Sequence, residues 1–330
     1  MVASAYRPPW WLRSPHVQSL LGTSPMRRQR GARALRASGS RGEPVLVDAG
    51  EGVRLQGVLN RPGTAPRALA LLLHGWEGSA ESSYMRLTAA QLLQQGVTVF
   101  RLNFRDHGDS HHLNEGLFHS NLLDEVVRAA VQVQQRWGQG LPMLAAGYSL
   151  GGNFALRVAL HGPRHGLSLQ RVAAVCPVLD PAHTMDAMEQ GLPLYLRHFE
   201  RTWTRSLRRK FALFPPQDFD DATLRLGMRE LTAWLVDRHT GFDSLDAYFD
   251  GYSIAGTRLA GLQVPADVLM AEDDPVIPVE DFRQWTLPSG VRVELARHGG
   301  HCGFLEGAGL DGYAERWVAQ RLLQALPALN

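Results

Sequence analysis

The sequence predicts a mainly parallel, doubly wound α/β sheet with a helical insertion late in the chain. Three observations carry this. Apolar runs of strand length alternate with helical patterns from about residue 44 to 176, which is the signature of a parallel sheet covered by its crossover helices. Strand signals then stop and resume only near 266, leaving a stretch of helical character too long to be a loop. Several strands also run directly into small or reactive residues, as ligand-bearing strand ends do in such sheets.

Taken in order, residues 1–42 read as an N-terminal arm lying across the core: a Trp10-Trp11 leader, then a basic patch from Arg27, Arg28 and Arg30 to Arg36 and Arg41. Arginines near a tryptophan pair also suit weak peripheral membrane contact, the sharper alternative. Residues 43–180 form the first part of the core. Strands are expected at 44–48, 53–59 and 68–73, a helix at 84–95 and a strand at 98–104. A helix follows at 120–137, where Leu122, Val126, Val127, Ala130 and Val133 approximate the 3.6-residue period. Pro142 to Ala146 reads as a buried strand, 151–160 as a helix and 171–176 as a strand. The insertion, 181–262, carries helical segments at 186–214 and 221–237 and the aromatic group Phe242, Tyr248, Phe249 and Tyr252. It reads as a helical cap over the site, with plain packing as the blander role. Residues 263–330 complete the core through strands at 266–271 and 291–295.

The chemistry gathers at strand ends. Gly147-Tyr148-Ser149-Leu150-Gly151 fits G-x-S-x-G between a strand and a helix, which makes Ser149 the candidate nucleophile on a sharp turn. Alone the pattern is weak, but a carboxylate and then a histidine follow in the order an activated serine needs. The strand at 266–271 enters Glu272-Asp273-Asp274-Pro275, and that at 291–295 precedes Arg297-His298-Gly299-Gly300-His301-Cys302-Gly303, read as a flexible glycine loop. Asp274 is the candidate acid and His301 the base; Asp273, Asp180 and His298 are rivals on residue type alone. An oxyanion needs two N–H donors, expected from the backbones of Leu150 and of Trp76, just after the strand at 68–73. His107, His111, His112 and His119 lack an acidic ligand pattern and read as loop residues, with no metal or cofactor expected.

On these residues the chain resembles the α/β hydrolases, and within them the YheT-type branch related to embryogenesis-associated hydrolases and hydrolase-domain lipases. The leader Pro9-Trp10-Trp11-Leu12 with Pro15-His16-Val17-Gln18-Ser19-Leu20, the segment Gly241 to Phe249 followed by Tyr252-Ser253, and Asp273-Asp274-Pro275 carry the likeness. It implies a hydrolase of carboxylic esters, lipid esters included, with Ser149, Asp274 and His301 as the triad; the apolar insertion adds the expectation of short to medium acyl chains. One departure is the histidine-rich Asp106-His107-Gly108-Asp109-Ser110, where the branch carries an arginine-glycine loop. A thioesterase or perhydrolase would use the same residues, and a ligand-binding protein without catalysis is the alternative of another class. Apolar residues of the insertion, Leu192, Leu194, Tyr195, Phe199, Trp203, Phe211, Leu213 and Phe214, are expected to line an acyl pocket.

Composition fits an enzyme acting on a small molecule. A chain of 330 residues, 45% hydrophobic, buries a large core, and a formal charge of +2 does not suit a nucleic-acid partner. Cys176 and Cys302 are too few for a disulfide framework and read as free thiols. With no apolar span and no secretory leader, the expected address is the cytoplasm.

Overall fold

A computed structural model describes residues 1–215, 220 and 222–327; the helix start expected at Asp221 lies outside them. β4 (Ala68–Leu73), β6 (Met143–Tyr148) and β8 (Ala266–Ala271) are buried along their whole length and carry one charged residue between them, Asp267, which pairs with Arg171 of the neighbouring strand. Strands of that kind need cover on both faces, so they occupy the middle of a parallel sheet. With β5 (Val97–Leu102), β7 (Leu169–Val175), β9 (Val291–Ala296), β1 (Val2–Ala3), β2 (Glu43–Asp48) and β3 (Arg54–Asn60), they form one sheet in the order β1-β9-β8-β7-β6-β4-β5-β3-β2. β2 pairs antiparallel with β3, and β3 with β5; every other pairing is parallel. The alternating burial of β2 marks it as the edge.

Two groups of helices flank the sheet. α2 (Pro25–Ala37), α3 (Ser83–Gln94) and α11 (Tyr313–Leu323) pack together, while α4 (Leu123–Val133) packs on α5 (Leu150–His161). Between β7 and β8 come α6 (Pro181–Gln190), α7 (Pro193–Leu213), α8 (Met228–His239) and α9 (Leu245–Tyr252). α7 and α9 are tied to the core through buried polar groups. The Lys210 ammonium of α7 donates to Asp106 Oδ1 at 2.7 Å, and Asn153 Nδ2 of α5 donates to the Val178 and Tyr252 carbonyls at 2.9 and 2.8 Å. Lys210, the one lysine in the chain, is thus a buried ion-pair partner.

Several boundaries depart from the sequence expectation. β5 ends at Leu102, because the next residues turn away and the Phe104 N–H donates to His74 Nε2. α4 begins at Leu123 rather than 120, because the preceding residues form tight turns in which the Leu122 N–H donates to the His119 carbonyl at 3.1 Å and the Leu123 N–H to that of Asn121 at 2.7 Å, and it gives way to a π turn at Gln134–Gly138. The N-terminal segment holds β1, α1 (Pro15–Gly22) and α2, none of which the hydrophobic pattern announced. α2 is rich in arginine and its stabilisation is tertiary: Arg27, buried, pairs with buried Glu315 of α11 and donates to the Leu310 carbonyl at 2.7 Å. Among the described residues no helix is long and apolar enough to cross a membrane.

Candidate active site

Ser149 sits between β6 and α5 with φ 53° and ψ −123°, a conformation that costs a side-chain-bearing residue free energy. Its glycine neighbours are required by contact. A Cβ on Gly147 would lie 2.0 Å from the Gly151 carbonyl oxygen, and one on Gly151 would lie 2.3 Å from that of Leu73. The turn aims Ser149 Oγ at His301 Nε2, 2.9 Å away, while His301 Nδ1 lies 3.0 Å from Asp274 Oδ2. Asp274 is fixed in turn by the Val276 and Ile277 N–H groups, which donate to its Oδ1 at 2.8 and 3.0 Å. With a carboxylate facing Nδ1, the imidazole carries its proton there and presents Nε2 to the serine as an acceptor. Burial works against the imidazolium, but the Asp274 carboxylate, the neighbouring Cys302 and the hydrogen bond to Asp274 together raise the His301 pKa to about 9.

The β4–α3 loop closes over the serine. Gly75 passes so near that a Cβ there would lie 3.3 Å from Ser149 Cβ. The loop's N–H groups are almost all engaged: Gly75 donates to the Tyr84 hydroxyl, Glu77 to His107 Nε2 and Gly78 to the Gly75 carbonyl. Trp76 between them, like Leu150 at the start of α5, has an N–H that donates to no acceptor among the described residues. His74 and His107 hold this loop: each directs Nδ1 to a backbone carbonyl and accepts a backbone N–H at Nε2. Burial keeps both neutral, lowering His107 to about 4. His111 bonds Ser206 of α7.

The rivals are occupied elsewhere. Asp180 caps α6, accepting from the Ala182 and His183 N–H groups. Asp273 accepts from the Gly300 N–H at 2.9 Å and faces His298 at 3.5 Å.

The loop carrying His301 is not the flexible glycine stretch that its composition suggested. α1 lies on it so closely that a Cβ on Gly300 would be 2.3 Å from the Pro15 carbonyl oxygen, and one on Gly303 2.6 Å from that of Gln18. Ser19 Oγ accepts the His301 N–H at 2.8 Å, and fully buried Gln18 accepts the Leu305 N–H at 2.7 Å while donating to Tyr6 and Leu12. The leader therefore clasps the histidine loop from both ends. The sequence offers the leader as an arm across the core and as a family likeness but does not show this clasp; a contact spanning some 280 residues of chain leaves no periodic signal.

Two cavities meet at Ser149, sharing Trp76, Phe199 and Val276 as walls. One, of about 100 Å³, lies on the Leu150 side between the core and the inserted helices, lined by Met185, Met188, Trp203, Met228 and Phe249 among others. The other, of about 600 Å³, opens on the His301 side and includes Cys302, Tyr84 and Leu194. The expected lining is therefore corrected. Phe199 and Trp203, one helical turn apart on α7, face the smaller cavity, and Leu194 and Tyr195 the larger. Leu192 and Leu213 are exposed, Phe211 is buried without lining either cavity, and Phe214 lies under the Lys210 ammonium. An amphipathic helix turns only one face inward, and the thioethers of α6 and α8 supply what the rest of α7 does not.

A mostly parallel sheet whose strand ends converge on a strand-turn-helix serine, a histidine and a carboxylate is the architecture of α/β hydrolases. The family model for the alpha/beta hydrolase fold matches residues 71–308, and the chain belongs to that family. It is 27% identical over 272 residues to YheT of Escherichia coli (strain K12), carried under an esterase name, covering 76% of this chain and 74% of that protein. It is 26% identical over 264 residues to the mouse (Mus musculus) protein named Phospholipase ABHD3, covering 73% of this chain but only 59% of the mouse protein's length. In fold it is similar to an esterase from the archaeon Pyrobaculum calidifontis, with a TM-score of 0.59 at 20% identity, covering 98% of both chains.

Proposed function

We propose that the protein is a serine hydrolase of carboxylic esters that works through an acyl-enzyme, with Ser149 as nucleophile, His301 as base and Asp274 as the acid that orients it. The observation that carries this is the unbroken hydrogen-bonded line from Ser149 Oγ to His301 to the buried Asp274 carboxylate, at 2.9 and 3.0 Å. His301 Nε2 takes the Ser149 proton as Oγ attacks the acyl carbonyl, and Asp274 stabilises the resulting imidazolium. The free N–H groups of Trp76 and Leu150 receive the oxyanion; each such donor is worth about 3–4 kcal/mol in comparable sites. The imidazolium then protonates the departing alcohol, and water repeats the sequence on the acyl-enzyme.

That proton delivery orients the substrate. The leaving oxygen has to face His301, which borders the larger cavity, so the alcohol occupies that side. The acyl chain extends the other way, past Leu150 into the smaller cavity of apolar and thioether side chains. This favours esters of short to medium acyl length, lipid esters included, over amides or sugars. The relatives' names, an esterase and a phospholipase, both denote ester cleavage. Residues 181–262 act as the cap, 1–42 as the arm, and 43–180 with 263–330 as the hydrolase core. The free thiols of Cys176 and Cys302 favour a reducing compartment, the cytoplasm.

The test is Ser149→Ala. Ester turnover and labelling by a fluorophosphonate should both vanish while the far-ultraviolet spectrum is retained. A folded Ser149→Ala protein that still turns esters over removes the nucleophile, and a wild-type protein that resists the probe returns the chain to the ligand-binding reading.

A further inference from the structure

Beside the serine lie two thiols that the ester mechanism does not use. Cys176 follows β7 and Cys302 follows His301, so the two thiols come from loops that meet only at this end of the sheet. The Cys176 and Cys302 sulfurs and a His301 ring nitrogen lie within 4.8 Å of one another. Both cysteines have left-handed backbones, φ 43° and 58°, a conformation that residues other than glycine adopt at a cost and that collects at functional sites.

We propose that Cys176, Cys302 and His301 form a binding site for a thiophilic divalent cation of the zinc class, and that its occupation switches off the Ser149 centre. The inference rests on the reading of Ser149 and His301 as the reacting pair. Two thiolates and an imidazole are a donor set that zinc prefers. Around a tetrahedral zinc ion such donors stand roughly 3.5–3.8 Å apart, so atoms that lie within 4.8 Å of one another need a contraction of up to about 1.3 Å. Asp274 already holds Nδ1, the carboxylate–histidine arrangement that supports a metal-bound imidazole and leaves Nε2 as the ligand atom. Access exists, because Cys302 and His301 line the larger cavity, with Cys176 behind them. The three protein ligands leave a fourth position for water or an anion.

Binding expels the two thiol protons, forms two metal–sulfur bonds and one bond from Nε2, and leaves the oxidation states unchanged. The lone pair on Nε2 is then committed to the metal. It cannot accept the Ser149 proton, so hydrolysis stops until the ion is removed.

The experiment uses cobalt(II) as a spectroscopic probe and zinc(II) as the inhibitor, on reduced full-length protein. Expected are one equivalent of cobalt bound with a thiolate-to-cobalt charge-transfer band, competed away by zinc, and zinc inhibition of ester hydrolysis reversed by a chelator. Cys302→Ser and Cys176→Ser, each removing a ligand, should each weaken cobalt binding by more than the ~10- to 100-fold that loss of an outer-shell partner costs. Cys302→Ser remains informative if the buried Cys176 variant does not fold. Ser149→Ala should bind cobalt with the same spectrum, so the site is tested even if the esterase reading fails. Absence of the charge-transfer band, or binding indifferent to both cysteines, overturns the site. Binding that leaves hydrolysis intact overturns the switch, and loss of both thiols to a disulfide in metal-free buffer would assign the pair to oxidation instead.

Discussion

Ser19→Ala isolates the clasp between the leader and the histidine loop. Its hydroxyl accepts the His301 N–H at 2.8 Å and donates to the Pro15 carbonyl one helical turn back, in a side chain that is 9% exposed. The second bond is expendable, because that carbonyl lies within α1 and alanine is the better helix former. The first is not. Leaving a buried N–H without an acceptor costs about 1–3 kcal/mol. The loop can escape that cost by shifting until water reaches the N–H, which takes Nε2 out of line with Ser149. The competent population, and with it kcat, should then fall roughly 5- to 150-fold at 1.36 kcal/mol per decade. The acyl cavity is built by other elements, so KM for a methyl ester should stay within about twofold of wild type. Fluorophosphonate labelling should slow with kcat, and Ser19→Thr, which restores an acceptor, should recover most of the loss. Steady-state kinetics of the three proteins decide it. A Ser19→Ala enzyme with wild-type kcat and labelling rate would refute the clasp; a loss confined to KM would make Ser19 a cavity wall instead.

The raised His301 pKa sets a pH dependence: as base it has to be neutral, and with a pKa of about 9 only about 1% is neutral at pH 7. The specificity constant should climb nearly tenfold per pH unit from 7 towards 9, and a profile already flat at pH 7 contradicts the raised imidazole. Asp274→Asn should cut turnover roughly 10⁴-fold and move that limb to lower pH, whereas Asp180→Asn, which keeps an oxygen that can cap α6, should do neither. Burial, with Asp106 nearby, raises Glu77 to about 8. A carboxyl that binds its proton more tightly when folded stabilises the protein fully below its unfolded value near 4.5 and loses that contribution as pH rises towards 8. Glu77→Gln should therefore leave Tm unchanged at pH 4 and raise it at pH 8; equal Tm values at both would refute the buried acid. In a chain-length series of one leaving group, assayed below its critical micelle concentration, the specificity constant should rise from acetyl to medium chains by up to about fourfold per methylene and then fall. Met188→Trp should move the maximum to shorter chains, and a series insensitive to both chain length and this change removes the acyl cavity from specificity.

The sequence by itself determined what depends on short stretches of chain. A continuous apolar run such as Ala68–Leu73 reads as a central strand because burial on both faces leaves no polar position. Gly147 and Gly151 flanking Ser149 were legible because a sharp strand-to-helix turn excludes Cβ atoms locally. What needed the tertiary structure was everything set by contacts remote in sequence. Residue type offered Asp180, Asp273 and Asp274 alike; only the packed loops show that the first caps a helix, the second braces Gly300 and the third reaches His301. α2 looked like a solvated arginine run because its stability comes from Arg27 meeting Glu315 at the far end of the chain. The glycines around His301 read as slack, yet they are the spaces into which α1 fits. Periodicity and turn chemistry act over a few residues and so are written in sequence, whereas which buried donor finds which acceptor is decided only when the chain closes on itself.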